Sequence, residues 1–219
     1  MKQYQKIAFL GDSVTEGCFE LYPTDYGFDT VRRPEDGYVQ KTVSLLAAAY
    51  GNAPDFRNFG KSGASTFGGM TQVDEAIAYQ PDLAVACFGL NNVTQPEERF
   101  FAALDELLSR LCAAVPDVIY LTPNRMNTYL HPNLGEYARK LAVATAEAQT
   151  SGKFDRMMEE ARRIALRHGA TVCDGYAMWC EMAKSVDVTD KLLVNYINHP
   201  TAEMHDKTAS LLAKTILTA

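Results

Sequence analysis

Short, continuous apolar runs alternate along the chain with longer stretches in which apolar residues recur every three or four positions. Apolar runs of about four to eight residues, bounded by glycine or polar clusters, are typical of strands buried on both faces of a parallel sheet. A spacing of three to four is that of a helix with one buried face. The pattern predicts strands at residues 6–10, 55–59, 82–88, 118–121 and 170–173.

Helices are predicted between these strands. They fall at residues 37–50, 71–79 and 100–115, in a region after 135 that is broken at 150–152, and from about residue 201 onward. Alternating strands and helices without repeats or linkers imply an α/β fold, with a parallel central sheet covered by helices. The 219 residues suffice for one sizeable core, so we predict a single domain over residues 1–219.

The segment 18–36 does not fit this alternation. It has no clear hydrophobic period and is long for a connection, yet it carries Phe19, Tyr22, Tyr26 and Phe28. Aromatic residues at this density argue against disorder, and long loops in compact domains are often functional. We expect a loop that borders the functional site or an oligomer interface.

Composition and charge narrow the function. The net charge of −6 argues against a surface that binds nucleic acid. The five cysteines lack the Cys-x-x-Cys spacing of zinc sites, so we interpret them as small structural residues and predict no metal site. No apolar run is long enough to span a membrane, and the first residues do not have the pattern of a signal peptide. A cytoplasmic location without a membrane partner is therefore expected.

The residues with the clearest chemical potential follow the first predicted strand, in the turn Gly11-Asp12-Ser13. In open α/β sheets, ligands bind at the carboxyl ends of the strands, so Ser13 is placed where chemistry is usually done. Glycine allows a tight turn at this point. Asp and Ser are also common turn-forming residues, and a turn without catalytic function explains this stretch alone about equally well.

Further along the chain, three more short motifs occur in order. Together with Gly-Asp-Ser after a buried strand, they resemble the four blocks of the SGNH (GDSL-type) hydrolases. The other three matches are Asn58-Phe59-Gly60-Lys61-Ser62-Gly63, Gly89-Leu90-Asn91 and Asn195-Tyr196-Ile197-Asn198-His199. The resemblance spans nearly the whole chain. It implies a three-layer α/β/α, flavodoxin-like fold and serine esterase activity with no metal or organic cofactor.

The resemblance also implies a role for each matching residue. Ser13 is the expected nucleophile and His199 the expected base. The backbone N–H groups of Ser13 and Gly63, together with the side-chain amide of Asn91, are the expected oxyanion donors.

Two positions depart from the family pattern. Asn92 follows Asn91 where Asp is usual, and Tyr196 stands three residues before His199, where the acid of the triad is usual. The acid holds the imidazole tautomer, a task that a backbone carbonyl can also perform. We therefore predict a Ser–His dyad, or a triad with an unusual third partner. Asn195 or a backbone carbonyl is favoured over the more distant Asp190.

The resemblance implies an ester hydrolase, and two features of the sequence narrow its substrate. Aromatic residues in the segment 18–36 could stack on sugar, and no long apolar run that could bind a lipid is visible. We predict an esterase that cleaves small acyl groups, with acetylated carbohydrates among the favoured substrates. One alternative is an acyltransferase of the same fold. The other is a carbohydrate- or ester-binding domain that has lost catalysis, which the departures at Asn92 and Tyr196 would favour.

Overall fold

The computed structural model describes residues 2–219, apart from the side chains of residues 21–23. Tyr22, one of the aromatic residues of the segment 18–36, lies among these three, so its expected place at the site is outside the described residues. The strands are β1 Lys6–Gly11, β2 Cys18–Thr24, β3 Gly27–Arg32, β4 Asp55–Asn58, β5 Leu83–Cys87, β6 Asp117–Leu121 and β7 Thr171–Cys173.

Helices connect the strands of the main sheet and follow the last one; those at Ser13–Glu16 and Gly175–Met182 were not predicted from the hydrophobic pattern. The helices are α1 Ser13–Glu16, α2 Tyr38–Tyr50, α3 Thr66–Tyr79, α4 Glu97–Ala114, α5 Glu136–Thr150, α6 Lys153–Arg167, α7 Gly175–Met182 and α8 Ala202–Thr218. Short helical turns also occur at Pro34–Asp36, Leu90–Asn92 and Val188–Leu192.

A parallel five-stranded sheet forms the centre of the fold, in the order β4-β1-β5-β6-β7. Its strands are the five predicted from the apolar runs. Helices α2 and α8 pack together, while α4 packs against both α3 and α6, which gives the predicted α/β/α layering. Every residue of β5 is buried, as expected for a strand covered on both faces. The carboxyl ends of β1 and β5 lie side by side, where Gly11 pairs with Cys87.

The segment 18–36 differs from the prediction of an irregular loop. Strands β2 and β3 form an antiparallel hairpin outside the main sheet, with a register shift between Glu20 and Tyr22. The residues of β3 are half-buried or exposed. Because the hairpin lies over the surface of the domain, its residues do not alternate cleanly between core and solvent, and the register shift interrupts the period further. The sequence therefore shows no strand pattern here.

Helix α3 also differs, since it begins at Thr66, five residues before the predicted start at residue 71. Gly68 and Gly69 lie in its first turns, and glycine is a poor helix former. Gly69 is nevertheless required by packing, because a Cβ there would lie 2.8 Å from the Phe88 ring. Tertiary contact thus overrides local propensity at this point.

Candidate active site

The turn after β1 presents Ser13 at the carboxyl edge of the sheet. Asp12 caps the one-turn helix α1, because its Oδ1 accepts a hydrogen bond from the Val14 N–H at 3.0 Å. Gly11 is required by close approach, since a Cβ there would lie 2.7 Å from the Cys87 carbonyl oxygen. Gln72 bonds both the N–H and the carbonyl of Gly11 at 2.8 Å. Hydrogen bonds and close packing of the backbone at Gly11 and Asp12 therefore set the position of Ser13.

His199 meets Ser13 across 186 positions of sequence. The Ser13 Oγ lies 2.9 Å from the His199 Nε2. Both residues are buried, with 8% and 2% of their surface exposed. The loop before His199 is held by Asn195, whose Oδ1 accepts hydrogen bonds from the N–H groups of three successive residues, Ile197, Asn198 and His199.

The other ring nitrogen of His199 contacts a main-chain atom. Nδ1 lies 3.2 Å from the carbonyl oxygen of Cys18, at the start of β2. A carbonyl only accepts hydrogen bonds, so this contact favours the tautomer with the proton on Nδ1. The Nε2 lone pair is then free to accept the Ser13 hydroxyl proton. This is the arrangement that a general base for serine requires.

The side chains considered as partners for the ring have other contacts. Asn195 acts on the His199 backbone through its Oδ1, and its Nδ2 donates to Glu20 and Asn198. Asp190 contacts the His131 Nε2 at 3.2 Å and the Lys191 Nζ at 2.6 Å.

Tyr196, at the position of the usual acid, stacks on the His131 ring with centroids 3.8 Å apart. Its φ of +59° is unusual for a residue other than glycine. The structure thus places the Cys18 carbonyl, and not the side chain of Asn195 or Asp190, against the His199 Nδ1.

Two carboxyl groups shape the electrostatics around Ser13 and His199. Burial lowers the pKa of His199, while the nearby Glu20 and the Cys18 carbonyl oppose that shift. The Glu20 Oε1 lies 3.2 Å from the His199 Nε2. Burial also raises the pKa of Asp12 to about 7, although the N–H groups of Val14 and Thr15 partly offset this, and the charge of Glu20 adds to the rise.

The candidate oxyanion donors lie on two connected loops. Gly63 adopts a φ of +75°, which favours glycine, and it is exposed. Glu16 holds this loop, because its Oε2 accepts hydrogen bonds from the N–H and the hydroxyl of Ser62 at 2.8 and 2.6 Å. The Asn91 Nδ2 donates to the carbonyl of Ala64 at 3.1 Å. An amide carries two N–H donors, so one of them is free for a substrate oxygen.

Asn92 supports the loop without facing the site. It is fully buried, and its Oδ1 accepts from the Thr66 N–H while its Nδ2 donates to the Thr66 hydroxyl. The residue that replaces the usual Asp therefore anchors the start of α3.

A backbone carbonyl was one of the partners expected for the His199 ring, but the sequence did not identify that of Cys18, and it gave no indication of the Glu20 carboxylate. Neither carries a local signal, because a main-chain atom is independent of residue type and Glu20 lies in a segment without a period. Cys18 is also the nearest alternative nucleophile. Its thiol faces Ser62 and Glu16, and burial raises its pKa, which reduces the reactive thiolate.

Among residues 2–219, no three His, Cys, Asp or Glu side chains are grouped so that they could hold a metal ion. Within the same residues, no helix has the length and apolar character needed to cross a membrane.

The chain is similar to known proteins both in sequence and in structure. The model of the GDSL-like Lipase/Acylhydrolase family matches residues 9–207. The solved structure of Axe2, an acetylxylan esterase from Geobacillus stearothermophilus, is 21% identical with a TM-score of 0.66, over 98% of this chain and 93% of the other. That of LAE5, an alpha/beta hydrolase enzyme from the metagenome of Lake Arreo, Spain, is 21% identical with a TM-score of 0.68, over 98% and 94%. No curated protein sequence matches the chain. At these identities the structural likeness shows a shared fold.

Proposed function

Because the chain belongs to the GDSL-like lipase/acylhydrolase family, whose members are serine ester hydrolases, we propose that Ser13 and His199 cleave carboxylic esters through an acyl-enzyme. The observation that carries this proposal is the buried contact of 2.9 Å between the Ser13 Oγ and the His199 Nε2. A nucleophile and a base within hydrogen-bond distance, with the base oriented by a third group, are the geometric signature of covalent catalysis. Here the third group is the carbonyl of Cys18.

The proposed reaction has two stages. In the first, the Ser13 Oγ attacks the ester carbonyl carbon while the His199 Nε2 takes the hydroxyl proton. The oxyanion that forms is stabilised by the N–H groups of Ser13 and Gly63 and by the Asn91 amide. The tetrahedral intermediate then collapses, and Nε2 returns the proton to the leaving alcohol. In the second stage the His199 Nε2 takes a proton from water, which attacks the carbonyl carbon of the acyl-enzyme. Nε2 then returns the proton to the Ser13 Oγ as the carboxylic acid is released.

For the substrate, we propose esters of small acyl groups, with acetylated carbohydrates as the first to test. The support is the fold shared with an acetylxylan esterase, together with exposed aromatic side chains such as Tyr26 and Tyr137, which could stack on sugar rings. Acetate release from acetylated xylo-oligosaccharides, compared with release of longer acyl groups from aryl esters, would test this choice.

A fluorophosphonate probe tests the nucleophile directly. The wild-type protein should label at Ser13 and hydrolyse p-nitrophenyl acetate. Ser13→Ala should lose both properties with an unchanged circular dichroism spectrum, while Ser109→Ala, which removes an exposed hydroxyl on α4, should keep both.

The same experiment separates the rival functions. A binding domain without catalysis would not label at all. An acyltransferase would label but would pass its acyl group to an added alcohol in preference to water. Retention of activity in Ser13→Ala would exclude Ser13 as the nucleophile.

A further inference from the structure

The hairpin β2–β3 brings a carboxylate to the reacting nitrogen of His199. Glu20 lies on β2, two residues after the Cys18 carbonyl that contacts the ring. Its Oε1 is 3.2 Å from the His199 Nε2, and its Oε2 accepts a hydrogen bond from the Asn195 Nδ2 at 2.7 Å. Only 18% of the side chain is exposed. Asn195 therefore holds the carboxylate of Glu20 as well as the backbone of His199.

The contact between Glu20 and Nε2 changes character during the proposed reaction. With the Nδ1 proton directed at the Cys18 carbonyl, neutral His199 presents a lone pair on Nε2, and a carboxylate oxygen gains no hydrogen bond from a lone pair. Once Nε2 has taken the Ser13 proton, the same oxygen can accept from Nε2–H and faces a positive ring. The interaction is thus favourable only in the state that forms as the ester is attacked, which is the condition for catalysis.

We propose that Glu20 is the carboxylate that stabilises the protonated ring of His199. It acts from the Nε2 side of the ring, in place of the usual carboxylate at Nδ1. The inference rests on the proposed function, because it requires Ser13 to transfer its proton to His199. Tyr196 cannot supply the charge at the usual position, since its side chain stacks on His131. Two groups thus share the role of the usual acid: the Cys18 carbonyl orients the ring, and Glu20 stabilises the imidazolium.

The other titratable groups near the ring do not replace Glu20. Asp12 is buried beside Ser13, and burial raises its pKa to about 7, so that below this pH it is mainly protonated and carries no charge. On α8, burial lowers the pKa of His205 to about 3, so that this residue is neutral when His199 is active. In the described part of the chain, Glu20 is the carboxylate that pairs with His199.

The test is the pH profile of kcat/KM for three variants at position 20. Glu20→Gln and Glu20→Ala remove the charge, so they should lower kcat/KM roughly 10- to 100-fold. They should also lower the pH at which kcat/KM is half-maximal by about one unit, because a nearby anion stabilises the protonated ring. Glu20→Asp keeps a charge and should retain the wild-type midpoint with a smaller loss of rate. Asp29→Asn removes an exposed charge from β3 and should change neither quantity.

A direct measurement on the ring supports the kinetic one. NMR titration of His199 in Ser13→Ala, with and without Glu20→Gln, should show a lower pKa in the double variant. A loss of rate with an unmoved midpoint would mean that Glu20 only supports the loop through Asn195, and would overturn the inference. So would a wild-type rate in Glu20→Gln. Absence of fluorophosphonate labelling in the wild-type protein would instead overturn the proposed function itself.

Discussion

Asn91 lies where two loops of the candidate site meet. Its Nδ2 donates to the carbonyl of Ala64, next to Gly63, so that one residue links the ends of β4 and β5. The amide is half-buried, and we expect its second N–H to face the substrate oxygen. The position of a single side chain is therefore expected to matter for kcat more than for binding.

Replacement of this amide gives the first prediction at the scale of residues. Asn91→Ala should lower kcat by roughly 10²- to 10³-fold, the range for loss of one oxyanion donor. KM for p-nitrophenyl acetate should change little. Asn92→Asp introduces the residue usual in the family at a position whose side chain hydrogen-bonds to Thr66, and it should retain most of the activity. An unchanged kcat in Asn91→Ala would show that the amide does not face the oxyanion.

The protonation state of His199 and the group that orients its ring determine how the activity depends on pH and on Asp190. Burial lowers the pKa of His199, and the base must be neutral, so activity should rise with pH through a midpoint below about 6.5. Asp190 contacts His131 and Lys191, so Asp190→Asn should stay within about threefold of the wild-type rate. Loss of a true triad acid costs about 10⁴-fold. A collapse of kcat in Asp190→Asn, with the fold intact by circular dichroism, would contradict orientation of the ring by the Cys18 carbonyl.

At the scale of elements, the hairpin β2–β3 has the main influence on the site. It supplies both the Cys18 carbonyl and Glu20, yet it lies outside the main sheet. Its link to the rest of the domain includes Phe28, a half-buried residue that packs on a small cluster formed by α5 and the loops around it. The buried members of this cluster are Leu134, Ala138, Ala142 and Ile197. Ile197 is two residues from His199, so packing of the hairpin and placement of the base are coupled.

This coupling predicts an effect of a residue that does not touch the substrate. Phe28→Ala should weaken docking of the hairpin by about 1 kcal/mol, because it removes part of an apolar contact. A catalytically competent fraction reduced by that amount lowers kcat/KM by up to about fivefold. The matched control is Tyr26→Ala, at a position 95% exposed near the hairpin tip. With p-nitrophenyl acetate, which has no sugar ring for Tyr26 to contact, this variant should leave kcat/KM unchanged. Equal kinetics for both variants and the wild type would show that the hairpin is held in place without Phe28.

At the scale of the whole molecule, the buried Asp12 ties stability to pH. Burial raises its pKa from 3.8 to about 7, so the folded state keeps a proton that the unfolded chain loses between these values. The folded state binds more protons in this window, and the free energy of unfolding therefore decreases as pH rises. The stabilisation that comes from the proton on Asp12 is fully present below about pH 4 and is lost above about pH 7.

Asp12→Asn should remove this dependence while keeping an oxygen for the Val14 N–H. Between pH 4 and 8, the stability of the variant relative to wild type should rise by up to about 4 kcal/mol. Urea unfolding followed by the fluorescence of Trp179, the single tryptophan and 1% exposed, would measure it. The control Asp29→Asn, at an exposed position of β3, should change the free energy of unfolding by no more than about 0.5 kcal/mol. If the free energies of unfolding of Asp12→Asn and wild type changed in parallel between pH 4 and 8, Asp12 would be ionised in the folded protein throughout this range.

The sequence by itself determined the five-stranded parallel sheet, the order of its helices and the family. Strands buried on both faces are continuous apolar runs, so the local composition predicts their positions. The turn after β1 and the loops after β4 and β5 could also be located, because short motifs at strand ends combine glycine with polar residues. The hairpin β2–β3 and the first turns of α3 were not found, because neither the surface packing of the hairpin nor the two glycines at the start of α3 leave a hydrophobic period.

Only the tertiary structure decided how the site is assembled. It brought Ser13 and His199 together across 186 positions, and it placed the Cys18 carbonyl against the ring. It also showed that Asn195 bonds the backbone of the His199 loop and that Glu20 reaches Nε2. These contacts depend on main-chain atoms and on the path of a hairpin across the surface. Residue type and spacing do not encode either feature, because both arise from the packing of segments far apart in the chain.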